Sequence, residues 1–198
     1  MRRLLPALFA ALVLPCTAAG LTVSVTGAGG AALTGAVVFL ESPAAAQAVR
    51  PLSEQEIGQQ NKTFMPDQLV ITRGTAVSFP NRDTTRHHVY SFSPTKVFEI
   101  KLYIGTPAAP VVFDKAGIGV LGCNIHDHMV AWVVIVDTPW FATADTDGRA
   151  VLASVPPGDY RLRVWHRGLP PGSPPLDQAL KLPAAGAEVA ARLPGVRP

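Results

Sequence analysis

From residue 20 onward the chain is written mostly in a period of two. Leu21, Val23 and Val25 alternate with Thr22, Ser24 and Thr26, the pattern of a strand with one face in a core and one in water. A glycine-rich turn over 27–30 separates it from an unbroken apolar run at 36–40, which predicts a second strand. The signal lapses over the Ala-, Gln- and Glu-rich stretch 42–59, where Ser53 and Glu56 stand at capping-box spacing and predict one short helical turn. From Phe64 strands resume: 68–72 and 75–79 around an Arg73-Gly74 turn, then 88–92, 97–103, 111–113, 119–121 and 131–136. Beyond Thr138-Pro139 the texture changes. An Asp-Thr-Asp-Gly turn at 145–148 leads to a strand at 150–152, and after a Pro-Pro-Gly turn Tyr160, Leu162 and Val164 alternate with Arg161 and Arg163. The Pro-rich 170–175 reads as loop and 188–193 as a last strand. Short, evenly spaced strands without helical heptads predict an all-β protein of the sandwich or barrel kind.

Residues 1–19 follow a different rule. Arg2 and Arg3, an apolar run over 4–14 and the small residues Thr17-Ala18-Ala19 have the form of a secretory leader, so the chain is expected to be exported to the periplasm. The apolar run is shorter than the ~20 residues a membrane-spanning helix needs, and no later segment is long and unbroken enough to span. The formal net charge is +3, but the leader carries two cations and no acid, which leaves the remainder nearly neutral. With no concentrated basic patch, a nucleic-acid partner is not expected. With 48% hydrophobic and 16% charged residues, a packed core is expected rather than disorder.

Cleaving the leader removes Cys16 and leaves Cys123 as the one thiol of an exported protein. A leftover thiol in an oxidising compartment points to intermolecular pairing, reactivity or a metal ligand. Its surroundings, Gly122-Cys123-Asn124-Ile125-His126-Asp127-His128-Met129, place thiolate, imidazole and thioether within seven residues on a loop between two apolar strands. A soft thiolate and thioether with imidazole suit copper better than hard cations, and a Cys with two His and a weak axial Met makes a blue-copper site. Zinc also accepts Cys and His, but not readily Met, and a two-copper centre would need a second Cys. The loop lacks one imidazole, for which the stretch Asn81-Arg82-Asp83-Thr84-Thr85-Arg86-His87-His88-Val89 offers candidates.

Together these pieces resemble the cupredoxins, the small blue copper proteins, and the spacing Cys123, His126, Met129 is most similar to the amicyanin subgroup. The resemblance runs over roughly residues 60–137, through Phe64-Met65-Pro66, Gly74-Thr75-x-Val77, Phe79-x-Asn81, His87-x-Val89 and Phe113-x3-Gly117-x5-Cys123. It implies a Greek-key β-sandwich holding one mononuclear copper, with His87, Cys123 and His126 equatorial and Met129 axial. It departs from the family at His88, where an Asn that helps tie the ligand loops together is usual. His88 is therefore either a substitute donor or an alternate for His87, and His128 is a second alternate ligand or an exposed neighbour of the site. His166, with no ligand partner near it in sequence, reads as a strand-end histidine.

The stretches 143–165 and 21–40 resemble a carboxypeptidase regulatory-like (transthyretin-like) β-sandwich. The expected organisation is a leader over 1–19, opening strands of an outer sandwich over 20–50, a copper-binding sandwich over 51–138, and the rest of the outer sandwich with a Pro-rich tail over 139–198. The alternative gives the 36–40 strand to the copper-binding sandwich itself. Proteins of this layout resemble those labelled methylamine utilisation proteins. The function expected is electron transfer between transient protein partners, by a monomer without enzymatic bond chemistry. A copper-delivery protein or a non-redox secreted binding module are the alternatives.

Overall fold

The computed structural model describes residues 19–198, so the expected leader, but for Ala19, lies outside the described residues. The chain begins with β1 (Ala19–Thr26), β2 (Val37–Glu41) and the helix α1 (Pro43–Ala48). Five short strands follow: β3 (Gln55–Glu56), β4 (Gly58–Gln60), β5 (Thr63–Met65), β6 (Gln68–Thr72) and β7 (Thr75–Ser78). Next come β8 (His87–Ser93), β9 (Lys96–Tyr103), β10 (Val111–Phe113), β11 (Gly117–Gly122) and β12 (Val130–Val136). The chain closes with β13 (Phe141–Thr143), β14 (Arg149–Val155), β15 (Gly158–Trp165), β16 (Leu176–Leu182) and β17 (Ala187–Arg192).

Strand order sorts these into two sandwiches. Sheets β14-β1-β17 and β13-β2-β15-β16 enclose one core, around Leu21, Val23, Leu40, Leu152, Leu162 and Val164. Sheet β6-β12-β11-β8-β9 and the smaller sheet β10-β7-β3 enclose another, around Ile71, Phe79, Val89, Phe113, Leu121 and Val133. The first sandwich is thus assembled from both ends of the described chain, and the second from the stretch between. β2 pairs with β13 and β15, placing Val37 opposite Thr143 and Trp165. The backbone groups of this strand are thus spent within the first sandwich and not the second.

The two cores meet at a third apolar cluster. Val37, Phe39 and Trp165 of the first sandwich pack on Val134 and Val136 of β12, with Trp132 and Val70 alongside. Arg167 reaches across to pair with Asp67 and lies 6.0 Å over the Trp132 ring, while Gln68 donates to the Gly35 carbonyl at 2.9 Å. Trp132, three residues after Met129 in sequence, packs at this junction.

One local expectation differs from the structure, and two elements appear where the sequence analysis placed none. The helical turn is not at Ser53–Glu56 but at α1, where the Ser42 side chain accepts from the Ala45 amide and Pro43 supplies a preset first turn. The segment following the Pro-rich loop forms β16, a full partner of β15. The hairpin β4–β5 turns through Asn61 and Lys62, both at positive φ (54° and 56°), without the glycine that advertises such a turn.

Candidate metal centre

The hairpin β11–β12 pairs Gly122 with Val130, so the residues between them, 123–129, form a loop at one end of the five-stranded sheet. β8 lies beside β11, with Tyr90 opposite Gly122, and its first residue is His87. These pairings bring two segments, more than thirty residues apart in sequence, to one end of the barrel-like core. Pairing of β8 with β9 slips by one residue between His87 and Val89, a bulge that gives β9 an extra residue there. Both His87 and Val89 are fully buried.

His87, Cys123 and His126 each offer a ligand atom within 4.8 Å of one another. Cys123 Sγ lies 3.9 Å from His126 Nδ1, and the His87 and His126 rings are 4.9 Å apart between centroids. The His87 ring is oriented from outside the group: its Nε2 donates to Asp83 Oδ2 at 2.7 Å. Its Nδ1 is buried and has no hydrogen-bond partner. A buried acceptor left without a donor is costly, and a metal ion among these three side chains would satisfy it. Met129 is 1% exposed and sits in the same apolar cluster as Cys123, and its amide donates to the His126 carbonyl at 2.9 Å. His126 is the most accessible of the three grouped residues.

His88 points elsewhere. Its Nε2 meets Glu99 Oε1 at 2.9 Å on β9, and its ring stacks at 5.5 Å on Tyr90. It therefore does not stand with Cys123 and His126, nor does the structure show it reaching their loop. His128 is exposed, donates from Nε2 to the Lys62 carbonyl at 2.9 Å, and makes an edge contact with the His126 ring. His166, in the first sandwich, has both nitrogens engaged, with Nε2 donating to the Thr34 carbonyl and Nδ1 accepting from the Gly168 amide.

The surroundings favour a neutral imidazole at His126. Burial, reinforced by nearby His87, Lys62 and His128, holds His126 below the ordinary histidine value, although Asp83 acts against this. Burial also acts to raise the Asp83 carboxyl, but the Lys62 amide, the His87 ring and the Asn61 amide outweigh it and keep Asp83 below the usual carboxylate range. Behind the site, burial pushes the Tyr103 hydroxyl up to about 12, so it stays protonated and donates to the Phe79 carbonyl, while Gln59 donates to its oxygen. Asn81 fastens the segment between β7 and β8, its amide donating to the carbonyls of Thr85 and Tyr103 and its oxygen accepting from the Asp83 amide.

Asp83, Asn61 and Lys62 were not candidates on sequence grounds. The signal for Asp83 was available: a carboxylate four residues before a ligand-type histidine can hold the ring nitrogen that the metal does not use. For Asn61 and Lys62 there was none, since what they contribute is backbone.

No family model matches the chain, and no curated protein does. Solved structures show partial likeness. A copper-containing nitrite reductase from Thermus scotoductus SA-01 is 24% identical over 45% of this chain, at a TM-score of 0.40, and the chain covers only 23% of it. A purple cupredoxin from Nitrosopumilus maritimus is 23% identical over 43% of this chain and 100% of its own length, with a TM-score of 0.37. A point mutant of amicyanin, in its reduced Cu(I) form at pH 4, is 20% identical over 50% of this chain and 98% of its own, with a TM-score of 0.39.

Proposed function

We propose that this chain is a mononuclear copper protein that carries single electrons between transient protein partners. The observation that carries the reading is the meeting of the ligand atoms of His87, Cys123 and His126 within 4.8 Å of one another, with His87 Nδ1 buried and unpartnered. One thiolate, two imidazoles and a buried thioether form a donor set that suits copper over harder cations and over zinc. Copper held by His87, Cys123 and His126, with Met129 as a weak fourth ligand, supplies a one-electron couple.

The chain's own residues supply the rest. Asp83 keeps the proton of His87 on Nε2, which leaves the Nδ1 lone pair free. Cys123 and Met129 are closed off from solvent within the apolar core, which keeps the donor set in a fixed arrangement through a change of charge. His126 presents the accessible edge, beside Ile125, which is 46% exposed and gives a partner an apolar contact. Near-neutral charge suits brief docking with little electrostatic steering. On the leader-like residues 1–19 we place the protein in the periplasm, and we assign it the role of a monomer without bond-making chemistry. A delivery protein must release its metal readily, and the burial of His87, Cys123 and Met129 favours an electron carrier instead.

The test is to add Cu(II) to the purified protein and record the visible spectrum. An intense thiolate-to-copper band is expected, absent in Cys123→Ser and shifted in Met129→Leu, with reversible one-electron voltammetry. A protein that shows only weak bands with copper refutes the reading.

A further inference from the structure

The His126-bearing loop is exposed from Asn124 to His128, apart from His126 itself, and begins and ends at the buried Cys123 and Met129. Polar loop residues in water contribute little to their own order, yet the donor set needs the His126 ring held in one place. What lies against this loop is the β4–β5 turn. On one side of that turn, Asp83 accepts from the Asn61 amide with Oδ1 at 2.7 Å and from the Lys62 amide with Oδ2 at 2.9 Å. The left-handed backbone of both residues aims successive N–H groups the same way, a concavity suited to a carboxylate. On the other side, the Lys62 carbonyl accepts from His128 Nε2 at 2.9 Å. The same Asp83 holds the His87 ring. A continuous chain thus runs from His87 through Asp83 and the Lys62 residue to His128, whose ring meets the His126 ring in an edge contact with centroids 6.0 Å apart.

We infer that the Asn61–Lys62 turn is a strap joining the two ligand-bearing segments, with His128 as a positioning residue that fastens the loop to it. The inference rests on the copper reading for its consequence but not for its geometry. The strap takes on the tie between ligand loops that His88 does not make, since His88 is engaged by Glu99 on β9. His128 acts through its Nε2–H and not as a ligand, and its donor function separates from its bulk.

Two substitutions separate these properties: His128→Phe keeps a ring beside His126 without a donor, and His128→Gln keeps a donor at similar reach. In the copper-free protein, amide hydrogen exchange is followed at Asn61, Lys62 and Met129. His128→Phe is expected to speed exchange at Met129 about five-fold, the loss of one modest hydrogen bond, while Asn61 and Lys62 stay protected by Asp83. His128→Gln is expected to restore the Met129 value. In a chelator competition, His128→Phe is expected to bind copper about ten-fold more weakly than the parent, at the lower end for a partner one step from the metal, and His128→Gln within about two-fold. Equal exchange at Met129 in all three proteins overturns the strap, whatever the copper affinities. A parent protein without the thiolate band, but with the expected exchange pattern, supports the strap and overturns the copper reading alone.

Discussion

The adjacent histidines His87 and His88 make a sharp test, because the structure gives them opposite environments. His87 is 0% exposed and stands with Cys123 and His126, with Nε2 on Asp83 and a buried Nδ1 that has no hydrogen-bond partner. Replacing it with Ala removes a hydrogen bond to a largely buried carboxylate, about 1.5–3 kcal/mol, and leaves a void in a closed site. We expect the copper-free protein to lose about 2–4 kcal/mol, the sum of that bond and a partly collapsed cavity. His88 is nearly as buried, but its partner Glu99 is about half exposed, so the pair is screened and worth about 1 kcal/mol or less. His88→Ala is therefore expected to cost about 1–2 kcal/mol, mostly from lost packing on Tyr90. The decisive readout is spectroscopic. With Cu(II) added, His87→Ala should lose the thiolate-to-copper band, and His88→Ala should keep it at nearly the parent energy. Urea unfolding of the copper-free proteins gives the two stabilities in parallel. A band that survives in His87→Ala and vanishes in His88→Ala would refute both the ligand assignment and the placement of the two rings.

Three further outcomes follow from particular contacts. At Gly122 an added Cβ would lie 2.8 Å from the Tyr90 ring and hydroxyl, so Gly122→Ala should cost about 1–3 kcal/mol in urea unfolding and less in a Tyr90→Ala background; equal costs in both backgrounds would exclude that clash. Trp165→Ala should cost about 3–5 kcal/mol, since the ring is 5% exposed in the junction cluster, yet leave the copper spectrum unchanged; a mild effect on calorimetric melting would mean the sandwiches do not depend on this contact. Burial, aided by Arg167 and opposed by the Thr34 carbonyl, holds His166 below the ordinary histidine value. The unfolded chain therefore binds this proton first, so the stability His166 contributes is present above about pH 6.5 and is lost as pH falls below it, by at most about 1.4 kcal/mol per pH unit. His166→Gln should reduce that acid slope in urea titrations of the copper-free protein, and an unchanged slope would exclude His166 as its source.

How much of this was legible follows from the kind of signal each part leaves. Leu21, Val23 and Val25, or Tyr160, Leu162 and Val164, announce their strands because one face of each is buried and the other wet, which forces alternation. The donor types of the metal centre were legible for a chemical reason: Cys123, His126 and Met129 share one short loop, and few other roles need that combination at that spacing. α1 and β16 did leave traces, Ser42-Pro43 and the alternation of Leu176, Leu180 and Leu182, but each lies beside segments whose composition suggested loop.

Other features leave no local trace. Whether 36–40 joined one sandwich or the other depended on which strands offered it hydrogen bonds, and that is a property of partners far along the chain. Which of His87 and His88 stands beside Cys123 and His126 left no mark in the sequence, because adjacent residues share one local pattern and only the fold separates their partners. The strap at Asn61 and Lys62 works through backbone groups that any sequence possesses, so its function arises only where folding sets them between Asp83 and His128. Residue chemistry alone was enough to propose what kind of ion the chain could hold. Only the tertiary structure decided how the site is held together, because orientation depends on distances between segments that sequence spacing does not encode.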